Sequence, residues 1–180
     1  IFAGWQGQGA LSGALDLQIP LGKGTPRVIV DFASDDAKLK IPEPELTFEQ
    51  LSGSFRYDTA RGLSAEAIQA RLFGAPVKGK AVATGAPGKP ASRVEAQGAV
   101  GLKRLAEWLA IGQSLPASGE LPYQLRLDLA GEDSQLQIDS SLQGLRIDLP
   151  APFGKPARER RDTSLRMSLQ GAERRYGVRH

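Results

Sequence analysis

Short runs in which apolar residues occupy every second position recur throughout this chain of 180 residues. Successive side chains of a β-strand point to opposite faces, so each run predicts a strand with one apolar and one polar face. The clearest runs are Leu15, Leu17 and Ile19, then Leu125, Leu127 and Leu129, and later Leu145, Ile147 and Leu149. Glycine, proline and aspartate turns separate the runs, and no long crossover intervenes. The sequence therefore predicts a mainly β fold, a curled antiparallel meander sheet that forms an apolar groove or taco-like section.

One segment departs from the two-residue period. Leu102, Leu105, Trp108 and Leu109 recur at helical spacing, which predicts a short α-helix near residues 102–111. The indole of Trp108 is interpreted as a packing group at one end of the sheet, since most partly buried tryptophans serve packing.

Two pairs of adjacent carboxylates invite an acid–base interpretation. We instead expect both pairs in turns, because Asp, Gly and Ser stabilise turn conformations. Residues 34–36 then separate a strand over 27–33 from a strand over 37–41. Glu132 and Asp133 similarly join the strand containing Leu125 to the next strand.

The composition argues against catalysis. The chain has no cysteine, and its one histidine is the last residue, His180. No phosphate-binding glycine loop or hydrolase motif is present. We expect no enzyme activity, no catalytic residue, no metal site and no cofactor.

The formal net charge of +3 does not by itself indicate nucleic acid. The basic residues alternate with acidic ones along the polar faces of the predicted strands, which is typical of a solvated surface. We expect no nucleic-acid partner, and a weak attraction to anionic lipid headgroups is the more interesting alternative.

The chain begins at Ile1, and its one methionine is Met167. No apolar stretch approaches the ~20 residues of a membrane-spanning helix. We therefore expect residues 1–180 to be a single section of a longer protein, without an internal domain boundary.

Three stretches resemble the YhdP family within the AsmA-like superfamily. They are FEQLSGSFRYDTARGLSAEAIQARLFGAPVKGKA over residues 48–81, LKRLAEWLAIGQSLPASGELPYQLRLDL over 102–129 and LQGLRIDLPAPFGKPA over 142–157. The resemblance implies an envelope protein of Gram-negative bacteria, anchored in the inner membrane and extended through the periplasm as a long apolar β-groove. It also implies phospholipid transport toward the outer membrane. The expected partners are phospholipid acyl chains and, through the full-length parent, the inner and outer membranes.

Within such a groove, alternating apolar residues are the candidate lipid-lining positions. A one-residue slip in a strand exchanges its two faces, so the sequence leaves open which face lines the groove. The candidates are Leu15, Leu17, Val28, Val30, Phe32, Phe55, Leu125, Leu127, Leu129, Leu136, Ile138, Leu145, Ile147 and Leu149.

The alternative is a structural β-sandwich or scaffold module of a cell-envelope protein, in which the apolar faces close on each other without ligand. Open sheet edges also favour edge-to-edge pairing, so a homodimer of this chain is expected as a possible assembly.

Overall fold

The computed structural model describes residues 4–22, 24–42, 45–111 and 115–169, together with the backbone of 176–179. The strands are β1 (Gln6–Gln8), β2 (Ser12–Gln18), β3 (Arg27–Ile41), β4 (Leu46–Asp58), β5 (Gly62–Leu72), β6 (Ala75–Ala83), β7 (Ser92–Gly101), β8 (Ala117–Leu129), β9 (Gln135–Ser140), β10 (Leu145–Ile147), β11 (Thr163–Ser168) and β12 (Tyr176–Arg179). One helix, α1 (Leu102–Trp108), separates β7 from β8.

All the described strand pairs are antiparallel and most join neighbours in the chain. The order is β3-β4-β5-β6-β7-β8-β9-β11-β12, with β1 and β2 both on the outer edge of β3 and β10 beside the start of β8. The strands at the two ends of this order do not pair with each other. This arrangement confirms the predicted fold class, a curled antiparallel meander with one short helix.

The predicted turn at residues 34–36 is wrong. β3 runs without interruption from Arg27 to Ile41, and the two aspartates form a β-bulge inside it. Ser34 pairs with Gly53 and Ala37 pairs with Leu51, so three steps along β3 oppose two along β4. A local polar pair can serve a bulge as well as a turn, because in both cases the side chains point to solvent.

Similar bulges occur in the next two strands. In β4 the extra residue falls at Glu49–Gln50, where Gln50 has a φ of 51°. In β5 it falls at Glu66–Ala67, between the pairs formed by Ala65 and Ile68. Each extra residue reverses the alternation, so the apolar side chains remain on one face although their spacing in the sequence changes. Bulges also bend the strands that carry them.

The described strands form a single layer. The accessible surface of the chain is 12233 Å², whereas a compact monomer of the same mass exposes about 8,400 Å². The alternative with two packed sheets is therefore not the architecture adopted here. Helix α1 contacts β7 and β8, and the Trp108 ring lies 5.6 Å from that of Phe73 in the β5–β6 turn.

An ion pair ties the start of β3 to the end of β4. The Arg27 guanidinium donates two hydrogen bonds to the carboxylate of Asp58, which also accepts the Ala60 N–H at 2.8 Å. The hydrogen bonds from Arg27 are the main cause that lowers the pKa of Asp58 to about 2, against the opposing effect of burial.

We expect Asp58→Asn to destabilise the protein at neutral pH but much less in acid. The folded pKa of Asp58 lies below its unfolded value, so its stabilisation is present above about pH 4 and is lost as the pH falls toward 2. Loss of charged hydrogen bonds costs about 1.5–3 kcal/mol. Urea unfolding of the wild type and the variant at pH 7 and at pH 2.5 measures this difference.

The matched control is Asp31→Asn, which removes the ion pair of Asp31 with Arg56, whose side chains are 51% and 60% exposed. An exposed pair contributes less than about 1 kcal/mol. An Asp58→Asn effect of the same size at both pH values would contradict the assignment.

Candidate functional site

One face of the sheet is apolar from β2 to β11, as far as the rows of paired residues can be followed. Residues directly opposite each other in an antiparallel pair share a face, so the strand register defines rows that cross the sheet. One row crosses six strands and consists of Ala65, Ala81, Val94, Leu127, Leu136 and Met167. The next row consists of Ile68, Gly79, Ala96, Leu125, Ile138 and Leu165. We call the face that carries these rows the apolar face.

The same face continues through the first strands. Leu15 pairs with Val30, which pairs with Tyr57 and, through it, with Leu63. Phe32 pairs with Phe55, and their rings stack with centroids 5.0 Å apart. These aromatic residues lie beside the small side chains of β5 and β6.

The register places most of the predicted positions on the apolar face. These are Leu15, Leu17, Val28, Val30, Phe32, Phe55, Leu125, Leu127, Leu129, Leu136 and Ile138. The other three lie apart from the rows. Leu145 and Ile147 belong to β10, which pairs with residues 117–119, and Leu149 follows it in an exposed loop.

The middle of the apolar face has a floor of small residues that the sequence prediction missed. Its members are Ala65, Gly79, Ala81, Ala83, Ser92, Ala96 and Gly98. Bulky residues stand on both sides, from β3 and β4 on one side and from β8, β9 and β11 on the other. The face therefore forms a trough whose side chains are smallest along β6. The alternation of Lys78 and Lys80 with small residues was the sequence signal that could have predicted β6 and its polar face.

The buried residues of the apolar face are covered by neighbouring side chains of the same face. Phe55, Ala65 and Ala81 are 9%, 5% and 4% exposed, and they form a cluster with partly buried neighbours such as Phe32 and Val94. Toward the edge this cover disappears, and on β2 Leu15 and Leu17 are 68% and 54% exposed. An apolar surface is thus closely packed at its centre and open to solvent at its margin.

Tyr123 contributes a polar atom to the apolar face. Its ring reaches across Gly98, where a Cβ would lie 2.8 Å from the hydroxyl oxygen. That hydroxyl is buried and has no hydrogen-bond partner among the described residues. Burial raises the pKa of Tyr123 to about 12, so the phenol is neutral near pH 7 and can donate a hydrogen bond.

The opposite face is charged. The neighbours of the apolar rows form a polar row of Lys80, Glu95, Arg126, Gln137 and Arg166. Lys80 and Glu95 form an ion pair of 3.1 Å, and Arg93 pairs with Asp128 at 2.6 Å. A hollow of about 560 Å³ on this face is lined mainly by these charged and amide side chains, which suit water better than an acyl chain.

Other kinds of site find little support in the described ranges. There, no group of three or more histidine, aspartate or glutamate side chains is arranged to hold a metal ion. The helix that is described falls short of the length and apolar character that crossing a bilayer requires. Glu132 and Asp133 lie in the short turn between β8 and β9, as predicted.

An open antiparallel sheet, apolar on one face and charged on the other, defines a β-protein whose candidate site is an extended surface. The family model described as YhdP protein matches residues 1–178, so the chain belongs to the YhdP family and is a YhdP-type envelope protein. No curated protein and no solved structure matches the chain.

Proposed function

We propose that this chain is one section of a periplasm-spanning hydrophobic groove that shields acyl chains during phospholipid transport between the inner and outer membranes. Transport of this kind contributes to outer-membrane integrity. In this proposal the chain belongs to a longer protein that is anchored in the inner membrane, and the two membranes are its partners through that parent.

The observation that carries the proposal is the apolar face, over which the described strands place no second layer. The row from Ala65 to Met167 crosses six strands, which corresponds to about 24 Å at a strand spacing of ~4.8 Å. Apolar surface on this scale is unfavourable in water and needs an apolar cover.

The energetics of an acyl chain suit a conduit. Transfer from water to an apolar surface contributes about 0.8 kcal/mol per buried CH₂, so a 16-carbon chain gains on the order of 10 kcal/mol relative to water. Relative to a bilayer, which is already apolar, the same chain gains little. Lipid on the apolar face is thus protected from water and is still free to leave.

The half-buried members of the floor, such as Ala96, supply room for this lipid. We expect Ala96→Phe to fill this part of the trough and to lower phospholipid occupancy about tenfold, because the added ring takes the place of acyl-chain contacts worth at least ~1.4 kcal/mol. Native mass spectrometry of the purified chain, loaded with phosphatidylethanolamine, measures the occupancy.

The matched control is Val82→Phe, which places the same ring on the opposite face at a residue that is 48% exposed. It should leave occupancy unchanged. Absence of bound phospholipid from the folded wild-type chain, or equal losses in the two variants, would contradict the proposal.

A further inference from the structure

A loop after β10 carries two large apolar side chains into solvent. We call residues 148–154 the tip loop. Within it, Leu149 is 45% exposed and Phe153 is 69% exposed. Ile147 and Lys155 close the loop by exchanging two backbone hydrogen bonds of 2.8 and 2.9 Å. The tip loop lies outside the rows of the apolar face, so that face does not account for its exposed side chains.

Buried polar contacts brace the base of the tip loop. Lys155 is 2% exposed. Its ammonium donates to three backbone carbonyl oxygens, those of Leu142 at 2.7 Å, Leu145 at 2.9 Å and Pro156 at 3.2 Å. Arg161 donates from Nη2 to the Gly154 carbonyl oxygen at 2.8 Å. All three ammonium donors are used, so the base of the loop is fixed and holds the apolar tip outward.

A cationic hollow lies beside the tip loop. It has a volume of about 560 Å³, and its lining includes Arg146, Leu149, Lys155 and Arg158. Asp148 is the one carboxylate in this lining, and it pairs with Arg146. The lining therefore carries a net positive charge, and Arg158 is its exposed cation without an ion pair among the described residues.

We propose that the tip loop docks on the surface of a bilayer that contains anionic phospholipids. Phe153 and Leu149 enter the interface between headgroups, while Arg158 faces a lipid phosphate. Apolar side chains flanked by cations are the combination that binds such surfaces, because partial burial and attraction to anionic headgroups add together. The inference is independent of lipid carriage on the apolar face, since it rests on a different set of residues.

Co-sedimentation of the purified chain with vesicles tests this. We expect binding to vesicles of phosphatidylcholine mixed with phosphatidylglycerol, and weaker binding to phosphatidylcholine alone. Phe153→Ser should lower the affinity for the mixed vesicles about tenfold. Arg158→Glu should lower it about fivefold or more for the mixed vesicles only. Leu109→Ser changes another exposed leucine, 52% accessible, and should have no effect.

Leu127→Arg separates the two proposals, since it alters the apolar face and should leave vesicle binding intact. Failure of the wild type to bind either vesicle would overturn the inference, as would wild-type affinity in both Phe153→Ser and Arg158→Glu. Loss of binding in Leu127→Arg alone would assign the vesicle contact to the apolar face and also overturn it. A Phe153-dependent dimer without vesicle binding would replace the bilayer with a second copy of the chain.

Discussion

Leu127→Arg is expected to lower acyl-chain binding by at least tenfold and to leave the protein folded. Leu127 lies in the middle of the row that crosses six strands, between Val94 and Leu136. An arginine there introduces a charge whose transfer beside an acyl chain is strongly unfavourable. Its stem can still cover neighbouring side chains while the guanidinium reaches water, so the effect on stability is small.

Phospholipid occupancy by native mass spectrometry measures the loss, and outer-membrane permeability of cells carrying the substitution in the parent protein measures its consequence. Gln124→Arg is the matched control, because it introduces the same residue on the same strand but on the polar face. Normal occupancy and normal permeability in a folded Leu127→Arg protein would exclude a lipid role for this row.

Lys155→Met is expected to give the largest loss of stability. Lys155 is 2% exposed, and its removal leaves three backbone carbonyl oxygens without their donor. Methionine has a similar length, so the loss reports the polar contacts rather than a large cavity. Unsatisfied buried acceptors cost about 1–3 kcal/mol each, and we expect a total loss of about 3 kcal/mol after local relaxation.

Urea unfolding measures the total, and amide hydrogen exchange locates it. Protection should fall at Gly144 and Ile147, whose N–H groups donate to the Ala157 and Lys155 carbonyl oxygens at the base of the tip loop, and stay unchanged in β6. Lys89→Met, at an exposed lysine of the β6–β7 loop, serves as the control. An unfolding free energy equal to that of the wild type would show that the buried ammonium contributes nothing.

The sequence predicted the part of the sheet in which bulky residues alternate strictly. β8 and β9 follow this pattern, and the register, which the sequence left open, places Leu125 and Ile138 on the same face. The short helix was also readable, since its apolar residues recur at helical rather than strand spacing.

The bulged strands could not be predicted in this way. Alternation reverses at Asp35–Asp36, at Glu49–Gln50 and at Glu66–Ala67, and only the pairing with neighbouring strands reveals that the face is preserved. At the first of these sites the adjacent aspartates favour a turn in the sequence alone. Because the same residues also fit a β-bulge, the local sequence could not distinguish the two structures.

Two further features have weak sequence signals for different reasons. Gly79 and Ala81 are small and weakly hydrophobic and alternate with lysines. The sequence therefore gives no strong apolar pattern at the floor of the trough. Lys155 is buried although lysine is among the residues least often found inside, and its burial depends on the carbonyl oxygen of Leu142, which precedes β10 in the chain.

Site-specific photo-crosslinking along β8 tests the central claim most directly. A photoreactive amino acid is placed in turn at positions 123–129 of the parent protein in cells, and attached phospholipid is detected after irradiation. Lipid exposure of the apolar face predicts strong crosslinks at 123, 125 and 127 and weak ones at 124, 126 and 128, following the alternation of the strand, with little at the buried position 129. Equal yields on both faces, or no phospholipid at any position of a folded protein, would contradict it.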